Sequence, residues 1–349
     1  MSIYRTLICI SKAVTQNPVH LKNANTLTNT ALSNTCGFDS LLSCLAAAFS
    51  YSEHFQTAVI DGINHTTVAG GAGCNNNSSL RGNELRLLIA EVGSGGSLKI
   101  VYEMREELLA VKFQPSKPGS DGDPVISCER SVAGVATKVL AEFPMITLKS
   151  RCTSEHCPNR EICMSFPKIT LKTDRLQTTT WTLRGLMAAA DQHIAQPRAC
   201  LRPFSPVGNR DEQATSNSAD KQLCSGTRVE CEHSLHELLV IEPVPPNCVL
   251  KALSPESNSY KGVTCDAQCP LRIGDLPLTL TVDNRQFNLR GVVVFQQSKE
   301  DPVSTGHYYA IVRRPSGHLY AMDDMMVKPY RVQDVKTTSF MIHLVVYTI

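Results

Sequence analysis

Two short runs at opposite ends of the chain hold the residue types that nucleophilic catalysis needs. Near the N-terminus stands Asn34-Thr35-Cys36-Gly37-Phe38-Asp39-Ser40-Leu41-Leu42. Near the C-terminus stand Gly306-His307-Tyr308-Tyr309-Ala310 and, a turn later, Asp323-Asp324. A thiol becomes a catalytic nucleophile when an imidazole takes its proton and a third group orients that imidazole. Cys36, His307 and Asp323 supply one candidate for each part. Neither end suffices alone. A free cysteine is most often a small buried residue, and a lone strand histidine is more often a hydrogen-bonded core residue than a base.

The surrounding residues indicate how these groups are presented. After Cys36 the apolar positions are Phe38, Leu41, Leu42, Leu45 and Phe49, which predicts a helix. Asn34 or Thr35 is the candidate N-cap, which puts the thiol in the first turn. There the unpaired amides and the positive end of the helix dipole are aimed at it. Cys44, further along, reads as core. At the other end Phe287 to Phe295 is a β-rich run, followed by a polar loop and a strand-like run from Gly306 to Arg314. Pro315-Ser316-Gly317 has turn composition, and His318 to Asp323 reads as the return strand. Such a hairpin sets His307 and Asp323 side by side. Asp324 is the less suited third member, although a one-residue slip would exchange the two.

Helical spacing recurs at Leu85, Leu88, Ile89 and Val92, and at Val132, Val135, Ala136, Val139 and Leu140. Residues 70–79, 115–124 and 203–222 are rich in Gly, Asn, Ser or Pro without periodicity and read as loops. After them strands dominate. Helices early and strands late predict an α+β fold with the active site in the cleft between the two parts. No internal repeat is evident. With 349 residues, of which 42% are apolar, the chain can bury one large multi-lobed core. A net charge of +2 gives no electrostatic case for nucleic acid as a partner. The Thr6-Leu7-Ile8-Cys9-Ile10 patch is too short for a signal sequence, and no apolar stretch approaches membrane-spanning length. The expectation is a soluble intracellular protein, cytoplasmic or nuclear, without membrane attachment.

Fourteen cysteines then need a reason. In a reducing compartment metal binding is the alternative to plain buried thiols. Cys152 and Cys157 follow the strand-like Ile146 to Lys149, and Cys224 and Cys231 precede the strand-like Leu235 to Glu242. Two such cysteine knuckles at hairpin ends can complete a tetrahedral thiolate site for zinc. Cys163, His156, His233, Cys265 and Cys269 are competing ligands.

The chain resembles the ubiquitin-specific proteases, papain-like cysteine peptidases with fingers, palm and thumb. The cysteine box resembles Asn34-Thr35-Cys36 through Leu42. The histidine box resembles Leu289-Arg290-Gly291-Val292-Val293-Val294 through Gly306-His307-Tyr308 to Asp323-Asp324, and the closing strand resembles Phe340 to Tyr347. The resemblance implies a variable lead-in over 1–33 and one catalytic domain over 34–349. Within it, 34–145 would be a mainly helical thumb and 146–242 fingers with a zinc site and a mobile loop over 203–222. Residues 243–349 would be palm strands. It further implies hydrolysis after the C-terminal glycine of ubiquitin or a ubiquitin-like modifier, with Cys36 as nucleophile, His307 as base and then acid, and Asp323 as the orienting carboxylate. Ubiquitin conjugates are the implied partners and structural Zn²⁺ the implied cofactor.

Two departures bear on activity. The family places an asparagine five residues before the nucleophile to stabilise the oxyanion, and here that residue is Ala31. One such donor is commonly worth about 3 kcal/mol of barrier. Gly37 and Phe38 also replace larger residues. Two alternatives follow: a catalytically weak ubiquitin-binding module, and a papain-like viral or mobile-element protease of other specificity.

Overall fold

The helix expected after Cys36 forms as α1 (Cys36–Tyr51), and every residue from Gly37 to Phe49 is buried. A helix that is buried all round lies at the centre of a core. The computed structural model describes residues 21–22, 29–33, 35–69, 83–113, 125–127, 131–141, 143–157, 160–190, 198–200, 224–248, 270–297, 306–323, 326 and 328–349. The loops expected over 70–79, 115–124 and 203–222 lie outside these residues, as do Asn34, Cys265, Cys269 and Asp324.

Around α1 stand α2 (Glu53–Ala69), α3 (Glu84–Ser94), α4 (Leu98–Lys112) and α5 (Val132–Val139), with α6 (Leu183–Ala189) further along the chain. The close approach of α3 to α1 depends on Gly93, where a Cβ would fall 2.6 Å from the Phe49 ring. Gly95 then ends α3 in the left-handed conformation, φ 77°, which glycine adopts without steric penalty. The N-terminus of α5 is capped by Ser131, whose Oγ accepts from Gly134 N at 3.3 Å.

Among the described residues the strands form three sheets. A small one joins β1 (Leu21–Lys22), β2 (Asn29–Ser33) and β3 (Val125–Ser127), so the stretch expected as a lead-in carries two strands. A second sheet contains β4 (Ile146–Cys152) and β5 (Glu161–Phe166). The third begins with β6 (Ile169–Lys172) and β7 (Thr180–Trp181). β8 (Arg198–Ala199) and β9 (Thr227–Leu235) complete the second sheet in the order β5-β4-β9-β8.

The third and largest sheet adds β10 (Leu238–Val244), β11 (Pro270–Arg272), β12 (Thr279–Val282) and β13 (Arg285–Gln296). It closes with β14 (His307–Arg313), β15 (Leu319–Met322), β16 (Tyr330–Arg331) and β17 (Ser339–Thr348). Its main path runs β16-β15-β14-β13-β17-β10-β6. The helices come mostly before the strands, and the fold is α+β.

Helix α1 lies directly on β13 and β14. Gly291 permits this, because a Cβ there would sit 2.9 Å from both Cys44 Sγ and the Ile311 carbonyl oxygen. Cys44 Sγ donates to Val292 O at 3.7 Å, and burial pushes its thiol far above the ordinary range. Cys44 is core, as its place in the sequence implies. The consequence for function is positional: the N-terminus of α1 is fixed against the strand that begins with His307.

Candidate active site

Cys36 is the first residue of α1 and is half-buried. Thr35 occupies the N-cap position but makes no side-chain cap. Its Oγ1 donates instead to Asp39 Oδ2 at 2.9 Å. Asp39 also receives Arg105 Nε on Oδ1 and Nη2 on Oδ2, both at 2.7 Å. Arg105, from α4, is fully buried. Removing one member of such a pair leaves a buried charge uncompensated and commonly costs about 3–5 kcal/mol. The first backbone bond of the helix runs from Asp39 N to Thr35 O at 3.0 Å. The amides of Cys36, Gly37 and Phe38 precede it, which is where a helix presents donors to an anion.

The histidine end forms the expected hairpin. β14 pairs antiparallel with β15 in a register that sets Ala310 opposite Met322 and Arg313 opposite Leu319. Extending that register would put Asp323 opposite Tyr309, which leaves His307 its diagonal neighbour on the same face. His307 Nε2 and Asp323 Oδ1 lie 3.0 Å apart, with the two side chains 25% and 11% exposed. An ionised carboxylate only accepts, so Nε2 carries the proton it donates and Nδ1 is the ring nitrogen with the lone pair.

Aromatic packing joins the two ends. Phe295, Tyr308 and His343 form a cluster with ring centroids 5.0 to 5.4 Å apart. The Tyr308 hydroxyl and His343 Nδ1 share a hydrogen bond of 3.2 Å. Burial pushes Tyr308 up to about 12 and His343 below its ordinary value. A Cβ on Gly37 would lie 3.5 Å from the Tyr308 ring. The residue after Cys36 therefore faces the residue after His307. Gly306 is needed on the other side, since a Cβ there would overlap the Phe295 ring at 2.1 Å.

Ala31, the departure noted in the sequence, lies in β2 and pairs in parallel with Val125 of β3. Its side chain offers no donor.

Four cysteines gather at the end of the β5-β4-β9-β8 sheet. Cys152, Cys157, Cys200 and Cys224 are all buried, and their sulfurs lie within 4.8 Å of one another. Cys152 Sγ is 3.7 Å from Cys224 Sγ, and Cys157 Sγ is 3.6 Å from Cys200 Sγ. Zinc–sulfur bonds of about 2.3 Å at tetrahedral angles separate the sulfurs by about 3.8 Å, whereas a disulfide brings them to about 2 Å. The set fits a four-thiolate zinc site. Gly226 N donates to Cys224 Sγ at 3.4 Å and holds that thiol down to about 7, which favours the thiolate a metal requires. Gly226 has no room for a side chain, because a Cβ would come within 2.4 Å of Cys152 Sγ.

Cys152, Cys157 and Cys224 were all expected as ligands. Among the described side chains the fourth member of the cluster is Cys200, whereas the expected Cys231 is described only by its backbone on β9. Cys231 falls at the β-bulge of β9, between Glu230 opposite Ser150 and Glu232 opposite Lys149. Cys152, at the end of β4, pairs with Arg228, three positions earlier. At about 3.3 Å per residue the strand carries position 231 roughly 10 Å from the cluster end. Cys200, by contrast, follows β8, and its amide donates to Gly226 O at 2.7 Å. One sequence signal for it exists: Cys200 and Cys224 bracket the polar excursion over 203–222. Cys200→Ser is therefore expected to lower bound zinc below about one per chain and reduce thermal stability. Cys231→Ser should leave both unchanged. Metal analysis and thermal melts of the two variants decide between them.

No family model matches the chain, and no curated protein matches it. Solved structures do resemble it. A chain in the structure of the Ubp8-Sgf11-Sgf73-Sus1 SAGA DUB module is 13% identical, with 92% of this chain and 67% of that chain covered and a TM-score of 0.39. In the structure of the SAGA Ubp8/Sgf11/Sus1/Sgf73 DUB module bound to ubiquitin aldehyde, the identity is 13%, the coverage 90% and 67%, and the TM-score 0.38. Another structure of the Ubp8/Sgf11/Sus1/Sgf73 module gives 14%, 97% and 68%, and 0.36. Likeness at this level decides nothing about chemistry, which rests on the atoms of the site itself.

Proposed function

We propose that the chain is a cysteine-type deubiquitinase, hydrolysing the bond after the C-terminal glycine of ubiquitin or a ubiquitin-like modifier. The observation that carries the thiol chemistry is the 3.0 Å His307–Asp323 hydrogen bond, on the strand against which the Cys36 helix packs. The cysteine and histidine boxes carry the choice of substrate. In this reading residues 34–145 are the thumb, 146–242 the fingers and 243–349 the palm, all within one catalytic domain over 34–349.

The steps follow from the groups present. His307 Nδ1 takes the Cys36 proton, and the sulfur attacks the carbonyl carbon of the terminal glycine. The oxyanion draws on the amides at the start of α1, in place of the side-chain donor that Ala31 lacks. The imidazolium, stabilised by Asp323, returns its proton to the departing lysine amine and leaves a thioester on Cys36. Water, deprotonated by His307, then releases the modifier and restores the thiol. Zinc on Cys152, Cys157, Cys200 and Cys224 would serve as a structural crosslink, with no part in these steps.

Ubiquitin carrying a C-terminal electrophile tests the reading. It is expected to label Cys36 and no other cysteine. Labelling of Cys36 by a small alkylator but by no ubiquitin-like electrophile would leave a thiol hydrolase of other specificity. A chain that binds ubiquitin without labelling would be the catalytically weak module that Ala31 favours.

A further inference from the structure

Asp39 is the acidic residue of the first turn of α1, and both its oxygens are engaged. Thr35, which donates to it, immediately precedes Cys36 in the chain, and Asp39 lies one turn beyond. One carboxylate therefore ties together the backbone on either side of the thiol. It is held in turn by Arg105 from α4, 66 residues away, through two bonds of 2.7 Å. All three side chains are buried.

A buried ion pair is a poor device for stability alone, since apolar side chains of similar volume commonly do as well. The planar fork of a guanidinium on a carboxylate supplies direction that apolar packing does not. At this place direction means the rotation of α1 about its axis, at the turn that bears the nucleophile. The pairing also neutralises a carboxylate that would otherwise oppose negative charge on a sulfur one turn away. We infer that Asp39, clamped by Arg105 and Thr35, is a positioning residue that sets the approach of Cys36 Sγ to His307. The inference rests on Cys36 being the nucleophile.

Site-resolved alkylation of the full chain by iodoacetamide tests it without any assumed substrate. Cys163 is exposed and serves as the internal reference, while buried Cys44 reports loss of fold. The wild-type chain is expected to label at Cys36 faster than at Cys163. Thr35→Val, and Asp39→Asn combined with Arg105→Gln, should each lower the Cys36-to-Cys163 ratio at least about tenfold, since small misplacements of a reacting group are costly. Cys44 should stay unlabelled, and Thr35→Ser, which keeps the hydroxyl, should restore the ratio. An elevated wild-type ratio that the variants leave unchanged overturns the positioning role alone. A wild-type ratio of about one removes the nucleophile itself. Should the double variant expose Cys44, Thr35→Val against Thr35→Ser decides.

Discussion

Cys36→Ala is expected to abolish cleavage of ubiquitin conjugates while leaving the fold intact. In the proposed mechanism the sulfur is the atom that bonds to the substrate carbonyl, and no neighbouring group can replace it. Loss of a nucleophile in a triad can cost about 10⁶ in kcat. Alanine is a strong helix former and smaller than cysteine, so nothing in α1 is forced to move. The Thr35–Asp39–Arg105 contacts involve no atom of the Cys36 side chain. The purified variant should therefore melt within a few degrees of wild type and retain ubiquitin. Steady-state cleavage and thermal unfolding on one preparation provide the check. Full activity in this variant would sink the mechanism.

Asp323→Asn is expected to lower kcat by about 10²- to 10⁴-fold with little change in stability. The carboxylate places the proton on His307 Nε2 and leaves the lone pair on Nδ1, the nitrogen that receives the thiol proton in the proposed mechanism. An amide has a similar shape but presents both a donor and an acceptor, so it no longer imposes one tautomer. It also gives no charge to balance the imidazolium. In serine triads this exchange costs about 10⁴, and a thiol, which ionises more readily than a hydroxyl, should need the help somewhat less. Asp324→Asn should cost less, a comparison that single-turnover rates for both variants would make. The assignment is reversed if the second variant proves the slower.

What could be read from the sequence was local. The helix after Cys36 announces itself through the spacing of Phe38, Leu41, Leu42, Leu45 and Phe49, and it forms as α1. The hairpin from His307 to Asp323 is marked by strand-like runs on either side of Pro315-Ser316-Gly317, and its register sets the pair on one face. Three cysteines of the cluster stood beside strand-like runs. These features depend on neighbours a few residues apart, whose periodicity a single chain displays.

What the tertiary structure decided was long-range. Cys200 comes from the far side of an excursion of more than twenty residues. It joins the cluster because a ligand set depends on which strand ends meet, not on which cysteines look paired along the chain. Arg105 reaches Asp39 from another helix, and no pattern along either helix reveals a bond across 66 residues. The approach of Gly37 to Tyr308 arises from α1 lying on β14, which Gly291 allows by yielding space to Cys44. Residue types nominate chemistry, but the start of the Cys36 helix meets the strand of His307 only when the helix is packed on the sheet.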